Sequence, residues 1–325
     1  MKTKAKKIDI FSDITNKVID LLKQGVAPWK KSWKSSGLAG FCGAGAPRNY
    51  KTKKAYSGVN IMLLIMAGFE SPWWMTFKQA QSMGGRVIKG EKGTTAVRWV
   101  VSYFDIDGNW INPKLVKKRS DYHRKTMFPS YFHVFNEAQI EGLEFPVIKE
   151  PETIGPVEVT HNPIENADNI IDAFEDPPIL KLDGRNPCYN PRTDTVHLPV
   201  LDKFSTPEQY YKTLFHEFAH STGAEKRLNR KGIADFDKFG SEQYAKEELI
   251  AELSSCFMSE IAGFQNEETL EDTASYCKGW IKKLQDDPKM IVHAMSGAQK
   301  ATEHILGGPL APEMAEVNEE QAATA

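Results

Sequence analysis

One short stretch of the chain combines the residue types and the spacing of a metal-dependent hydrolase. His216 and His220 stand four residues apart, and Glu217 directly follows the first histidine. On an α-helix a step of four residues leaves only about 40° of rotation, so both imidazoles project from one face. Two such imidazoles can hold one Zn²⁺ at about 2.0–2.1 Å each. A carboxylate beside the first ligand can accept a proton from water that the metal polarises, which predicts Glu217 as the catalytic base.

The residues around this motif predict the helix that it needs. Ser205 or Thr206 can cap the N-terminus, and Pro207 suits the first turn. Gly223 can end the helix. A chance match on an ordinary helix is the alternative, but the three specified positions coincide by chance in only about 1% of sequences of this length. The helical context lowers that frequency further, so the pattern favours a metal site.

A second predicted helix supplies the third metal ligand. It begins near Ser241, ends at Gly263 and has one apolar face. The opposite face carries Glu248 and Glu252 among small residues, which would let another helix approach closely. A solvated face is the alternative, but such faces usually carry longer polar side chains. We therefore predict Glu248 as the third ligand and Glu252 as an acceptor that orients a ligand histidine, while Glu247 points about 100° away from Glu248.

Length and composition limit the number of domains, the compartment and the membrane association that can be expected. The 325 residues are enough for two domains, each with its own core. The four cysteines are scattered, without the spacing of a cysteine zinc site, and this favours a reducing compartment. The longest apolar run, residues 61–67, is far shorter than the roughly 20 residues of a membrane span, and no signal sequence follows the basic N-terminus. We expect a cytoplasmic protein without a membrane segment.

The net charge of −2 hides opposite charges in the two halves of the chain. Residues 1–150 carry 25 lysines and arginines against 12 acidic residues, whereas residues 151–325 carry 16 against 31. Six of the seven tryptophans also lie in the first half. A basic, aromatic half beside an acidic half points to an acidic partner for the former, above all nucleic acid.

Single-stranded DNA is the partner that the basic and aromatic segments favour. Trp29 and Trp33 alternate with lysines, a pattern that can stack on bases and neutralise phosphates. The alternative is a tryptophan pair in the core beside solvated lysines, and the segment itself does not decide between the two. A basic loop with tyrosines follows at residues 47–60. We predict DNA contacts from Trp29, Lys30, Trp33, Arg48, Asn49, Tyr56, Asn60, Trp74, Lys78, Lys89 and Lys92.

The order of predicted elements gives the fold class. The first half mixes helices with strands at residues 96–104 and 131–135, and a basic segment lies between these strands. In the second half a short strand precedes the histidine helix and the glutamate helix, an order typical of a zinc peptidase domain in which an edge strand can pair with a peptide. We predict an α+β chain. Its parts are a basic α+β domain at 1–145, a linker at 146–163, a mainly helical domain at 164–308 and a disordered tail at 309–325.

With these residues in view, the chain resembles the ArdC-type antirestriction proteins of conjugative plasmids and other mobile elements. The resemblance spans nearly the whole chain. It rests on residues 25–29, 47–49, 56–60, 74–80, 85–93 and 133–140 in the first half, and on 214–223, 227–230 and 244–252 in the second.

The resemblance implies a domain that binds single-stranded DNA, followed by a zincin-like metallopeptidase domain similar to Spartan and the gluzincins. In those enzymes the glutamate helix carries Glu-x-x-Ala-Asp/Glu, and residues 248–252 match this pattern, which supports Glu248 as a ligand. Tyr244 and Arg227 are the candidates for holding the oxyanion of the reaction.

These observations predict a mobile-element protein that protects incoming DNA and carries a zinc peptidase site acting on proteins near that DNA. The alternative is a DNA-binding protector whose metal site is structural or vestigial and which cleaves no protein. A nuclease fits less well, because the sequence has no evident carboxylate-rich cluster for two metal ions.

Overall fold

The first half of the chain forms a mixed sheet with helices packed around it. The computed structural model describes residues 9–29, 34–35, 38–39, 42–146, 153–154, 156–160, 162–184, 186–234, 242–264 and 270–311. The elements of the first half are α1 (Ile10–Lys23), β1 (Lys34–Ser35), β2 (Leu38–Ala39), β3 (Arg48–Asn49), α2 (Val59–Ile65), β4 (Trp73–Met75), α3 (Phe77–Ser82), β5 (Arg86–Val87), β6 (Thr94–Phe104), β7 (Trp110–Ile111), β8 (Arg124–Asn136) and β9 (Ile140–Glu141).

One long antiparallel pair organises this sheet. β6 and β8 stay in register from Thr94 opposite Val134 to Phe104 opposite Arg124. The strand order is β3-β4-β8-β6-β7, and β5 pairs with β9 separately. β8 begins well before the strand predicted at residues 131–135. Its first half is basic and contains Pro129, so its sequence does not look like a strand.

The second half is mainly helical and carries one small sheet. Its elements are β10 (Thr153–Ile154), β11 (Val157–Glu158), α4 (Pro163–Asp172), β12 (Ile179–Lys181), β13 (Cys188–Asn190), β14 (Thr195–His197), α5 (Pro207–Ser221), α6 (Lys231–Ala234), α7 (Glu242–Ala262), α8 (Leu270–Asp286) and α9 (Met290–Leu306). In the described part of the chain, the order β12-β14-β13 places β13 at an edge of this sheet. The predicted α+β class, with a sheet-bearing half followed by a helical half, is confirmed.

The helix with the two histidines begins as its sequence predicts. Thr206 is the N-cap of α5, its side chain accepts a hydrogen bond from the backbone N–H of Gln209, and Pro207 is the first helical residue. α5 ends at Ser221, two residues before Gly223. α5 then packs along α7, so the two predicted ligand helices are neighbours in space.

The largest hydrophobic core crosses the predicted domain boundary. Helix α1 packs on α8 and α9, and the core cluster includes residues of α1 and α2 together with residues of the second half. The predicted linker contributes as well, since Ile154 and Val157 of the β10–β11 hairpin are buried in that cluster. Of the predicted tail, Leu310 is fully buried and residues 312–325 lie outside the described residues. Within the described part of the chain, no helix has both the length and the apolar character needed to cross a membrane.

Three residues that we predicted to contact DNA are core residues instead. Trp29 and Trp74 are 2% exposed and Arg48 is 1% exposed. The Trp29 ring meets Trp280 edge to face at 6.2 Å, and the Arg48 guanidinium donates to the carbonyl of Gly43. A buried ring has no free face to stack on a base, and the buried Arg48 guanidinium is hydrogen-bonded to the backbone. The prediction for these three residues is therefore wrong. The alternation of tryptophan and lysine at residues 29–33 does not show which side chains face inward.

We expect Trp29→Ala to lower the free energy of unfolding by about 3–5 kcal/mol, because it removes a large buried ring and leaves a cavity. Trp110 is 59% exposed, and Trp110→Ala should change the free energy of unfolding by less than about 0.5 kcal/mol. Urea unfolding of the two variants beside the parent protein measures both values. Equal losses for the two variants would contradict the core assignment of Trp29.

Candidate metal centre

Two neighbouring helices bring three metal-binding side chains together. His216 and His220 lie one turn apart on α5, and their Nε2 atoms are 3.1 Å from each other. Glu248 of α7 faces both histidines. One of its carboxylate oxygens is 3.6 Å from Nε2 of His216, and the other is 3.5 Å from Nε2 of His220. These three residues form the candidate metal site.

The geometry of the three side chains fits one divalent cation. Ligand atoms at about 2.0–2.1 Å from a tetrahedral zinc lie about 3.3 Å from one another. The two Nε2 atoms are 3.1 Å apart, and each lies 3.5 or 3.6 Å from its nearer Glu248 oxygen, which is close to that value. With one ligand atom per residue, all three atoms lie within 4.8 Å of one another. Two imidazoles with one carboxylate suit zinc, and they also suit other divalent ions that accept nitrogen and oxygen ligands.

A carboxylate lies behind each ligand histidine. Glu252, one turn after Glu248 on α7, places an oxygen 3.8 Å from Nδ1 of His216. This position agrees with the predicted orienting role of Glu252. Glu247 places an oxygen 3.6 Å from Nδ1 of His220, a nitrogen that has no hydrogen-bond partner among the described residues. Carboxylates in this position fix the orientation of a ligand histidine and raise its basicity.

Sequence reasoning missed the role of Glu247. The 100° step does turn Glu247 away from Glu248, but the crossing of α5 over α7 brings it behind the other histidine. Glu247 is 2% exposed and receives two hydrogen bonds from Arg230, at 3.0 and 2.5 Å. Arg230 also donates to the Thr222 hydroxyl and the Ala219 carbonyl at the end of α5. Arg230 therefore links α5 to α7 beside the site. No spacing in the sequence predicts this contact.

A chain of hydrogen bonds connects the N-terminal segment to the back of the site. The indole N–H of Trp29 donates to the hydroxyl of Tyr276 at 2.8 Å. That hydroxyl donates to Glu252 at 2.7 Å, and Glu252 lies behind His216. Trp29 therefore belongs to the structural support of the metal centre.

The electrostatic environment of the site favours a cation. Burial acts to lower the pKa of His220, but the carboxylates of Glu247 and Glu248 outweigh it and raise that pKa to about 9. Burial likewise acts to raise the pKa of the Glu248 carboxyl, whereas hydrogen bonding by the two histidines holds it well below its usual range. The converging carboxylates stabilise positive charge between the rings, and a divalent ion would supply such charge.

The three ligand residues open into a cleft of about 610 Å³. Glu217 lines this cleft although it is 7% exposed, so its carboxylate lies at a shielded point of the wall. Tyr244 lines it as well, and its hydroxyl shares a hydrogen bond with Glu248. All three residues of the edge strand β13 form the facing wall. The cleft therefore places a carboxylate, a tyrosine hydroxyl and an edge strand around the candidate metal-binding residues.

The second oxyanion candidate, Arg227, lies elsewhere. Its side chain is fully buried and makes a two-bond contact with Asp194 at 2.8 and 2.9 Å. Its Nε donates to the carbonyl of Asp176. Arg227 therefore fastens the end of α5 to the loop before β14, and the prediction that it holds an oxyanion is wrong.

Comparison with known proteins is consistent with this architecture. A family model of the N-terminal domain of the anti-restriction factor ArdC matches residues 8–135, and a family model of zincin-like metallopeptidases matches residues 165–297. The chain is similar to the crystal structure of the antirestriction protein ArdC from plasmid R388 in its metal-free form, with a TM-score of 0.65 and 28% identity over 92% of this chain and 97% of that one. The chain belongs to the ArdC family. The Mn(II)-bound structure of the R388 protein has the same TM-score and identity.

Relatives of this ArdC-family chain include longer proteins. A DNA primase TraC of Escherichia coli is 35% identical over 301 residues, which are 90% of this chain but only 26% of the primase. This chain covers 19% of a second TraC primase with the same identity. An uncharacterized protein of Sinorhizobium fredii, y4eC, is 29% identical over 90% of both chains. The chain thus spans about a quarter or less of the primases that it matches.

The other residues predicted to contact DNA differ in their environment. The Asn60 side chain is bound to the backbone of Val97, donating to its carbonyl at 2.8 Å and accepting from its N–H at 2.7 Å. Asn49 donates to the Tyr56 hydroxyl. These amides hold loops and strands in place. Lys78, Lys89 and Lys92 are exposed, whereas Lys30 and Trp33 lie outside the described residues. The structure thus gathers the predicted metal residues at one point and scatters the predicted DNA residues.

Proposed function

We propose that this ArdC-family chain is an antirestriction protein of a mobile element, with a metal-dependent peptidase site that acts on proteins bound near single-stranded DNA. The observation that carries the peptidase part is the convergence of His216, His220 and Glu248 at one end of a cleft that also contains Glu217. Three protein ligands leave a coordination position open for water, as in catalytic rather than structural zinc sites.

Each residue of the site has a distinct role in this proposal. His216, His220 and Glu248 would hold Zn²⁺, which acts as a Lewis acid that polarises a peptide carbonyl and lowers the pKa of water. Glu217 accepts the proton of the attacking water and returns it to the leaving amine. Tyr244 lines the cleft with Glu217 and Glu248, and its hydroxyl is the proposed donor to the developing oxyanion.

An extended peptide is the substrate shape that the cleft suits. Among the described residues, β13 lies at the edge of the β12-β14-β13 sheet, and all three of its residues line the cleft. An extended peptide can add to an edge strand of a sheet as a further strand. Backbone pairing supplies affinity with little dependence on side chains, so unrelated proteins could serve as substrates.

The basic first half would hold the DNA. It carries 25 lysines and arginines against 12 acidic residues, and charge neutralisation of phosphates supplies most of the affinity of such surfaces. The first half shares its main core with the peptidase half, so the two are held close together. Proteins on the same DNA strand would therefore be presented at a high local concentration.

Removal and return of the metal tests this proposal. The purified chain is stripped with a chelator, reloaded with Zn²⁺ or Mn²⁺, and incubated with a DNA-binding protein in the presence or absence of single-stranded DNA. We expect cleavage only with metal, and faster cleavage with DNA because both proteins share the strand. Binding of DNA without cleavage under any metal would favour the alternative of a DNA-binding protector whose metal site is structural.

A further inference from the structure

The long strand pair of the first half projects beyond the core. At its inner end Ala96 and Val134 are fully buried against Leu64 of α2. Towards the other end no described residue of β6 or β8 between positions 98 and 130 is buried. We define the ribbon as residues 98–104 and 124–130 together with β7. The side chains of these three strands therefore lie outside the packed core.

The two faces of the ribbon differ in their neighbours. Side chains alternate between the faces, and residues opposite each other in the pairing share a face. One face carries Trp99, whose ring lies 6.3 Å from Phe11 of α1, and Tyr131, whose hydroxyl donates to Asp13 of the same helix. This inner face is turned towards α1. The other face continues outward from the position where α2 covers the inner end.

The outer face carries both cations and aromatic rings. At the tip, Trp110 of β7 and Arg124 of β8 lie on either side of Phe104, and the Arg124 guanidinium is 4.4 Å from the Phe104 ring centre. Two rows further in comes Phe128, and the next row carries Arg98. Phe128 is 47% exposed and Trp110 is 59% exposed. The row from the tip to Arg98 spans about 20 Å at the rise of a strand.

We propose that the outer face of the ribbon, with Trp110, Arg124, Phe128 and Arg98, is the surface on which single-stranded DNA lies. The exposed rings of Trp110 and Phe128 can stack on unpaired bases, and the arginines beside them can neutralise phosphates. Residues 98–128 carry seven lysines and arginines against three aspartates, so the charge of the ribbon complements a polyanion. A duplex keeps its bases paired and offers no base face to these rings. This inference rests on the proposed DNA binding and gives it a location that the sequence did not indicate.

Neighbouring residues on β8 provide matched controls. Arg124 and Phe128 point outward, whereas Lys125 and Met127 belong to the inner face, opposite Tyr103 and Val101. Phe128 and Met127 are exposed to a similar extent, 47% and 55%. Phe128 is thus matched by Met127, and Arg124 by Lys125. The two variants of each pair remove a comparable group, one from the outer face and one from the inner face.

The experiment measures binding of a labelled oligothymidylate of about 12 nucleotides by fluorescence anisotropy, at several salt concentrations. Phe128→Ala is expected to weaken binding about 10-fold, as loss of a stacking ring does. Arg124→Gln should also weaken it and lower the slope of log affinity against log salt by about 0.7, the value for one phosphate contact on a single strand. Met127→Ala and Lys125→Gln should change affinity less than about 2-fold. Thermal unfolding of all four variants checks that each is folded.

The other outcomes are equally informative. Losses that are as large for Met127→Ala and Lys125→Gln as for the outer pair would overturn the assignment to the outer face. If all four variants bind with the affinity of the parent, the ribbon is not the DNA-binding surface, although the chain still binds DNA. Equal affinity of the parent for the oligonucleotide and for a duplex at the same salt concentration would overturn the stacking role. No binding by the parent protein would overturn this inference together with the DNA part of the proposed function.

Discussion

Glu217→Gln is expected to reduce peptide cleavage by roughly 10²–10⁴-fold, which is the usual contribution of a positioned general base. Glutamine has the same shape but cannot accept the proton of the attacking water. The three metal-binding residues are untouched, so metal affinity and the unfolding temperature should stay close to those of the parent. Turnover of a protein substrate by the metal-loaded chain measures cleavage, and calorimetric metal titration measures metal affinity.

Glu225→Gln is the matched control for this variant. Glu225 is an exposed glutamate just beyond the end of α5, so the same loss of charge occurs outside the cleft. Cleavage by this control should equal that of the parent. If Glu217→Gln cleaves as fast as the control, Glu217 is not the base. If Glu217→Gln stops cleavage but protects DNA from restriction as well as the parent does, protection does not depend on the peptidase.

His220→Ala is expected to lower the affinity for Zn²⁺ by more than the 10–100-fold that loss of a supporting residue behind a ligand usually costs. The imidazole is a direct ligand in the proposed site, with Nε2 3.1 Å from that of His216 and 3.5 Å from Glu248. Glu252→Gln, which alters the acceptor behind His216 and leaves both ligand imidazoles in place, should stay within the 10–100-fold range. Competition with a chromogenic chelator measures these affinities.

His133→Ala controls for the loss of an imidazole. His133 is exposed on β8, away from the cleft-lining residues, so its removal should leave zinc affinity unchanged. A zinc affinity for His220→Ala equal to that of the control would remove His220 from the ligand set. A loss for Glu252→Gln as large as for His220→Ala would make Glu252 a ligand rather than a support.

The candidate metal site could be predicted from the sequence because its chemistry is local. A four-residue step on one helix fixes the relation of His216 to His220 without reference to the rest of the fold. Thr206 and Pro207 mark the start of that helix, and the structure begins it there. The phase of the next helix then selected Glu248 from among its acidic residues. The structure brings this carboxylate within 3.6 Å of both rings.

The proposed DNA surface could not be predicted in the same way, because it depends on which side chains the fold leaves exposed. Trp29 and Trp110 are the same residue type in the same basic half, yet one is 2% exposed and the other 59%. A ring stacks on a base or fills a core with the same chemistry, so composition and local charge do not separate the two roles. The tertiary fold makes that separation: Trp29 packs against Trp280 in the second half of the chain, whereas Trp110 pairs with Phe104 at the exposed end of β6.

The sequence by itself determined the α+β class and the ArdC family, and it predicted the candidate ligands and the candidate base, because these predictions depend on residue types at short, regular spacings. Only the tertiary structure showed that Glu247 lies behind His220 and that the buried Arg227 pairs with Asp194. It also showed that Trp29 is connected to Glu252 through the Tyr276 hydroxyl. These contacts arise where helices cross or where distant segments meet. Their partners are set by packing of the whole core, and no local pattern carries that information.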